Sequence, residues 1–457
     1  MTKKKIKHIA VIDIGKTNAK LVLFNAESQQ QVAVLSRAND VIDTAPYPHY
    51  DIDGLWQFML DGLAELHAAH TIDGISITTH GATAALIAGD KLAMPILDYE
   101  FDGVEAEFAD YDDLRPEFSE TLSPKLPIGL NLAAQIYWQS RRFKDKFTDV
   151  TDILMYPQYW AWRLTGVKAS EVTSLGTHTD LWSPDAGDFS SLVNGQNWRS
   201  FFPPVRKASD ILDMIGNEIA QQTGLDKDTP VVCGIHDSNA SLLPYLGAVT
   251  PPFSVISSGT WTIHMTVGGS TAGLDAARDS LANVDAYGRA VPTARFMGGR
   301  EYQVLMGDEN PEIGAEDLDY IIEHGVYVLP SFVAGVGAFP DSIGKWVGDE
   351  NALNIKQRGA AVALYLALMS RQCLALAECG ETLIVEGPLA KNTRYLSILS
   401  ALSGKPVHGS QDATGTSVGA SMLFETETAP LELSDAVKPY VNSQLNDYAA
   451  KWLSLID

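Results

Sequence analysis

Residues 9–24 read IAVIDIGKTNAKLVLF, and residues 253–267 read FSVISSGTWTIHMTV. Each is an apolar, β-branched run, a short polar turn with a glycine, and a second apolar run. That is the pattern of two strands joined by a tight turn. The first turn is Asp13-Ile14-Gly15-Lys16-Thr17-Asn18 and the second is Ser257-Ser258-Gly259-Thr260-Trp261. Glycine lets the backbone approach a phosphate closely, and the donors around it suit an anion. Lys16 and Thr17 are candidate phosphate donors, and Asp13 is a candidate Mg²⁺ carboxylate acting through water. A plain hairpin turn has the same composition, so each motif alone admits both readings. Two such turns in one chain favour a split phosphate clamp.

Working outward, a helix is predicted from Leu55 to His67 and a strand from Ile75 to Thr78, ending at the polar turn His80-Gly81. Helical periodicity marks Leu132–Phe143 and Tyr156–Leu164, where Trp160-Ala161-Trp162 reads as packing. Residues 230–248, PVVCGIHDSNASLLPYLGA, read as a buried strand, a Gly turn, and a helix opening at Asp237 or Ser238. A carboxylate at that point can accept a proton from a hydroxyl. Read in isolation, helix capping is the more ordinary task for Asp, and a helix N-terminus would keep such a carboxylate ionised. His236 is a candidate substrate contact. Thr250-Pro251-Pro252 marks a domain joint, so the expected architecture is α/β, with domains 1–247 and 248–457 facing a cleft.

In the second half, a long helix from Gln357 to Glu378 leads into the short strand LIVEG. The segment Val385-Glu386-Gly387-Pro388-Leu389-Ala390-Lys391-Asn392 could lie against a nucleoside, with Asn392 bonding the base, or be a plain strand–helix loop. Asp412-Ala413-Thr414-Gly415-Thr416-Ser417 precedes the small-residue run Gly419-Ala420-Ser421, which suits tight helix packing as much as ligand contact.

A chain of 457 residues is too long for one ordinary core, and its 46% hydrophobic and 20% charged residues describe a globular protein. The formal net charge of −24 argues against nucleic acid or an anionic membrane as partner. The 3 cysteines have no metal-ligand spacing and read as buried thiols of a reducing compartment, with the cytoplasm as the expected location. Lys3-Lys4-Lys5 before an apolar run superficially suggests a secretory signal, but Asp13 and Lys16 interrupt that run. The G-x-x-x-x-G-K-[ST] spacing is absent, and no G-x-G-x-x-G follows a strand.

The order of these motifs resembles the FGGY carbohydrate kinases, members of the actin-like ATPase superfamily. VIDIGKTNAKLVLF is similar to their first phosphate motif, CGIHDSNASLLPYLGA to the catalytic segment, FSVISSGTW to the second phosphate motif, and LIVEGPLAKNTRYLSILSALSGKPV to the adenosine segment. The resemblance implies two ribonuclease-H-like domains that close over ATP, Mg²⁺ and a small sugar or polyol. By position it makes Asp237 the base, with Asp13 and Asp237 at the metal. Gly15, Lys16, Thr17, Asn18, Gly259 and Thr260 fall at the phosphates, and Gly387 and Asn392 beside the nucleoside. His80, Gly81, Asp98 and His236 fall at the sugar. Lys16 stands where many members carry a small Thr or Ser, and Glu386 and Pro388 interrupt a usually Gly-rich run. The loop THGATAAL lacks the Gln-x-x-x-Gly pattern of xylulose and glycerol kinases, which turns the expectation toward a ketose of the rhamnulose or fuculose kind. A glycerol, pentulose or tetrulose kinase, a non-catalytic sugar- and nucleotide-binding regulator, and an actin-like ATPase are the rival readings. A homodimer is left open.

Overall fold

A computed structural model describes residues 6–28, 30–410, 415–424 and 433–456; Lys3–Lys5 and Asp412–Thr414 lie outside them. The chain forms two compact units. One is built from the described parts of 1–248, 283–289 and 414–431, the other from those of 249–282, 290–413 and 432–457.

The first unit is organised by a sheet whose strands lie in the order Ile211–Met214, Pro230–Val232, Gly74–Thr79, His8–Ile14, Asn18–Asn25 and Gln30–Ala38, with Ile235–His236 also pairing Gly74–Thr79. The tight turn makes His8–Ile14 and Asn18–Asn25 antiparallel, whereas Gly74–Thr79 joins His8–Ile14 in parallel. The crossover between those parallel strands contains the helix Ile52–Ala69, capped by Asp51, whose side chain accepts from the Gly54 N–H. Its buried stripe of Leu55, Met59, Leu63 and Leu66 packs with Ile12, Leu21, Ile75 and Ile77. The helix Tyr156–Thr165 has Pro157 in its first turn and Gly166 in the left-handed conformation at its end. Trp160 is fully buried among these residues, which makes the Trp-Ala-Trp stretch packing.

A segment from the far end of the sequence completes this core. The helix Gly415–Ser421 lies against the helix Asp237–Leu246 so closely that a Cβ on Gly419 would be 1.7 Å from the Ala240 carbonyl oxygen. Ser76 donates to the Ala420 carbonyl at 2.6 Å, and Ser241 and Thr416 share a hydrogen bond of 2.8 Å. Small residues are needed here because backbones in near contact leave no room for side chains.

The second unit has a six-stranded sheet in the order Ser280–Val284, Ala290–Phe296, Thr262–Val267, Phe253–Ser258, Thr382–Glu386 and Val407–Gly409. Phe253–Ser258 and Thr262–Val267 repeat the antiparallel pair of the first unit, and Thr382–Glu386 adds in parallel. The helix Ile355–Leu376 is long and apolar enough to cross a membrane by length and composition alone, but most of it is buried in this unit's core. A capping box at Asn354 and Gln357 sets its start.

Candidate active site

Strand register assembles the site of the first unit. Asp13 pairs with Thr78 and Ile14 with Thr79 on one side, while Ile235 and His236 pair with the same Thr78 and Thr79 on the other. The His80 N–H continues the ladder by donating to the Ile14 carbonyl at 2.8 Å. Asp13, His80 and Asp237 therefore leave the sheet at the carboxyl ends of three adjacent parallel strands, the edge at which open α/β sheets bind ligands.

Asp237 is the first residue of its helix. His236 occupies the cap position, and its side chain makes no capping hydrogen bond to the described helix. Asp237 Oδ1 accepts from the adjacent Ser238 N–H at 2.6 Å and faces His236 Nε2 at 3.2 Å. Burial lowers the His236 pKa to about 4, so its ring is neutral at pH 7. Asn239 Nδ2 lies 3.3 Å from His236 Nδ1; with the amide donating there, the ring proton sits on Nε2, directed at the Asp237 carboxylate. A Cβ on Gly81 would stand 2.7 Å from that Nε2, so only glycine leaves the imidazole in place.

The Asp13 carboxyl is pushed up to about 6, first by burial and then by the charge of Asp237; a 3.0 Å hydrogen bond from Ser417 opposes the rise. The Asp237 carboxyl is also raised by desolvation, although a third of its side-chain surface stays exposed; His80 and the Ser238 N–H oppose the rise. Desolvation thus outweighs the helix terminus, which by itself favours the ionised carboxylate.

Lys16 turns toward the acidic stretch after Leu97. Its ammonium pairs with Asp98 and with Glu100 at 3.3 Å, and lies 5.2 Å and 5.1 Å from the ring centroids of Tyr50 and Tyr99. Tyr50 donates to Asp98 at 3.2 Å, and its ring, with those of Tyr99 and Tyr156, surrounds His80 at 5.1 to 5.5 Å. His80 is buried and neutral, its pKa lowered to about 4 mainly by desolvation. Its Nδ1 is 2.9 Å from the Gly81 carbonyl, whereas its Nε2 has no partner among the described residues. At the tip of the turn the Gly15 N–H donates to the Asn18 carbonyl at 2.9 Å, and Thr17 and Asn18 are exposed.

In the second unit, Gly259 and Thr260 form an exposed turn closed by the Gly259 N–H on the Trp261 carbonyl at 2.8 Å. Ser258 ties this turn to the Gly387 loop. Its hydroxyl donates to the Glu386 carbonyl and accepts from the Leu389 N–H at 3.0 Å. Gly387 has φ +75°, and a Cβ there would be 1.9 Å from the Ser258 carbonyl oxygen. Asn392 caps the helix Thr393–Ser403, accepting from the Tyr395 N–H at 3.0 Å.

Residues 8–244 match the N-terminal domain of the FGGY family of carbohydrate kinases, and residues 250–431 match the FGGY carbohydrate kinase C-terminal domain. The chain belongs to the FGGY carbohydrate kinases. A carbohydrate kinase from Novosphingobium aromaticivorans is 33% identical and superposes with a TM-score of 0.91 over 99% of this chain and 98% of that one. Xylulose kinase from Lactobacillus acidophilus, at 15% identity, shares the fold with a TM-score of 0.79 over 98% of this chain and 96% of its own. The fold is the two-domain actin-like ATPase fold. Curated relatives are more distant. L-xylulose/3-keto-L-gulonate kinase of Escherichia coli is 26% identical over 47% of this chain and 40% of its own length. L-fuculokinase of Haemophilus influenzae is 26% identical over 56% of each. The chain spans about half the length of these curated relatives.

FGGY membership implies MgATP, and the residues present fit the ion. Asp13 and Asp237 are two coupled carboxylates whose mutual repulsion a divalent cation would relieve. Among the described residues no group of three His, Cys, Asp or Glu could hold a metal. Mg²⁺ suits such a site because it takes one or two carboxylates and completes its shell with water and phosphate oxygens. Several residues of this FGGY site carry no local sequence signal. Ser417 reaches Asp13 across 404 residues. Thr173 and Glu171 support His236 from the buried start of the short helix Val172–Leu175, where burial pushes the Glu171 carboxyl up to about 7. The cluster Ser170-Glu171-Val172-Thr173-Ser174 could have been read only as a helix start.

Proposed function

We propose that the protein is a cytoplasmic ATP-dependent kinase of a small sugar, in which Asp237 accepts the proton of the attacking hydroxyl. The observation that carries this reading is the Asp237 carboxylate beside neutral His236 and coupled to Asp13, at the carboxyl ends of three parallel strands. A raised carboxyl pKa makes a better base than an ordinary carboxylate. His236 Nε2–H holds that carboxylate in one orientation, and Asn239 holds the imidazole tautomer that allows it. Asp13 and Asp237 would hold Mg²⁺, which when bound with ATP neutralises charge on the phosphate oxygens. Within the first unit Gly15, Thr17 and Asn18 are assigned to phosphate, and within the second unit Gly259, Thr260, Gly387 and Asn392 are assigned to the nucleotide. His80, Gly81, Asp98 and His236 are assigned to the sugar.

The sugar is a ketose of the rhamnulose or fuculose kind in this reading. The loop at His80-Gly81 supports it, and the likeness to L-fuculokinase agrees. The likeness to L-xylulose/3-keto-L-gulonate kinase favours a pentulose as the second reading. ADP release over a panel of ketoses, aldoses and polyols tests both. Sugar-dependent release is expected, with a deoxyketohexose turned over best. Sugar-independent release, or none, would overturn the kinase assignment.

A further inference from the structure

We propose that Lys16 is a specificity-determining residue of the acceptor-sugar site, and that its ion-paired cluster selects a neutral polyhydroxylated substrate over a sugar acid. The inference rests on the kinase reading and deepens it. Lys16 follows the glycine of a turn whose composition suits phosphate, yet its side chain runs to Asp98 and Glu100, along the faces of Tyr50 and Tyr99. The open donors of that turn are instead the exposed Thr17 and Asn18 at its tip.

The same aromatic group contains His80. Tyr50 packs tilted against it at 5.2 Å and Tyr99 edge-on at 5.5 Å, and its electrostatic surroundings include both Lys16 and Asp237. An ammonium has three donors, of which Asp98 and Glu100 engage two. The third N–H of Lys16 and the Nε2 of His80, without a partner among the described residues, thus offer one donor and one acceptor along a tyrosine wall. A sugar hydroxyl, which both donates and accepts, fits such a pair.

Charge decides the class. Asp98, Glu100 and Asp237 outnumber Lys16, so a substrate carboxylate would meet net repulsion, or would have to displace a carboxylate from Lys16. A neutral ketose or polyol meets neither obstacle. The Lys16–Asp98 pair holds one fixed ammonium, because Asp98 is buried and also bonded by Tyr50 and the Glu100 N–H.

The test is calorimetry on the full chain, with L-fuculose, L-rhamnulose, L-xylulose, 3-keto-L-gulonate and D-gluconate as acceptor probes and a non-hydrolysable ATP analogue as nucleotide probe. Steady-state KM values for sugar and ATP accompany it. Lys16→Met should weaken binding of the preferred neutral sugar by roughly tenfold or more and leave nucleotide affinity within about twofold. Because this variant strands the Asp98 carboxylate, Lys16→Met/Asp98→Asn is measured beside Asp98→Asn, and the loss between those two should be of the same kind. A loss confined to the nucleotide would make Lys16 a phosphate ligand and overturn the proposal. Wild-type binding of either acid as tight as that of the best neutral sugar would overturn the substrate class. Both results are distinguishable from failure of the kinase reading, in which wild type binds no sugar and releases ADP without one.

Discussion

The backbone N–H of His236 donates to the side-chain oxygen of Thr173 at 3.0 Å, across 63 residues of chain. Thr173 in turn donates its proton to Glu171 at 2.5 Å, and all three residues are buried. The peptide just before Asp237 is therefore held by a hydroxyl that is itself fixed. Thr173→Val should lower kcat by roughly 10- to 100-fold, since misplacing a reacting group by a fraction of an ångström is enough. Thr173→Ser should restore most of the rate. Equal losses in both variants would reduce Thr173 to packing.

Asp237→Asn should lower kcat by roughly 10²–10⁴-fold. It should not lower the melting temperature. Desolvation makes the Asp237 charge unfavourable in the folded state, and an amide oxygen can still accept from the Ser238 N–H. Turnover and thermal unfolding on one preparation check both statements, and near-normal turnover would remove Asp237 as the base.

Gly81→Ala places a methyl 2.7 Å from His236 Nε2. The imidazole must then shift, and its alignment on Asp237 with it. The expected result is a loss of activity of more than about tenfold, with a stability cost of about 1–3 kcal/mol from overpacking. Chemical denaturation and kcat/KM read the two effects separately.

Gly387→Ala meets both a positive φ and the Ser258 carbonyl. It should cost at least about 2 kcal/mol and weaken ATP more than sugar, since the Ser258–Gly387 contact supports the candidate nucleotide turns. Unchanged ATP affinity in a folded variant would detach this loop from the nucleotide.

Glu171 supplies a pH signature. Its folded pKa, about 7, lies above the ordinary value of 4.5, so the folded state binds this proton more tightly than the unfolded chain does. Its contribution to stability is fully present below pH 4.5 and is lost as pH rises through about 7. Relative to Glu171→Gln, wild type should lose on the order of 3 kcal/mol across that window. Urea unfolding of both proteins at several pH values is the check, and a pH-independent difference would show that the carboxyl titrates normally.

Local elements were legible where one segment carries its own signal. The helix predicted at Leu132–Phe143 forms at Leu132–Arg142, and the one opening at Asp237 begins there. The strand Gln30–Ala38 was missed because it is an edge strand with a mostly exposed, mixed pattern. Asp98 is a candidate through the resemblance and not through its acidic surroundings, and it is buried because Lys16 and Tyr50 come to it from distant parts of the chain. Asn392 shows the opposite case: its helix-start signal is realised as a helix cap.

By itself the sequence determined the two strand–turn–strand units, the catalytic-segment helix and the family order, because β-branched runs, glycine turns and helix starts act over a few residues. Tertiary structure alone decided which of those pieces meet. Parallel register is imposed by crossovers and core packing, not by a turn, so nothing local announces that Asp13, His80 and Asp237 leave the sheet together. The same holds for the Gly415–Ser421 helix, whose small residues state only that something packs close; folding makes the first unit's core that partner and delivers Ser417 to Asp13.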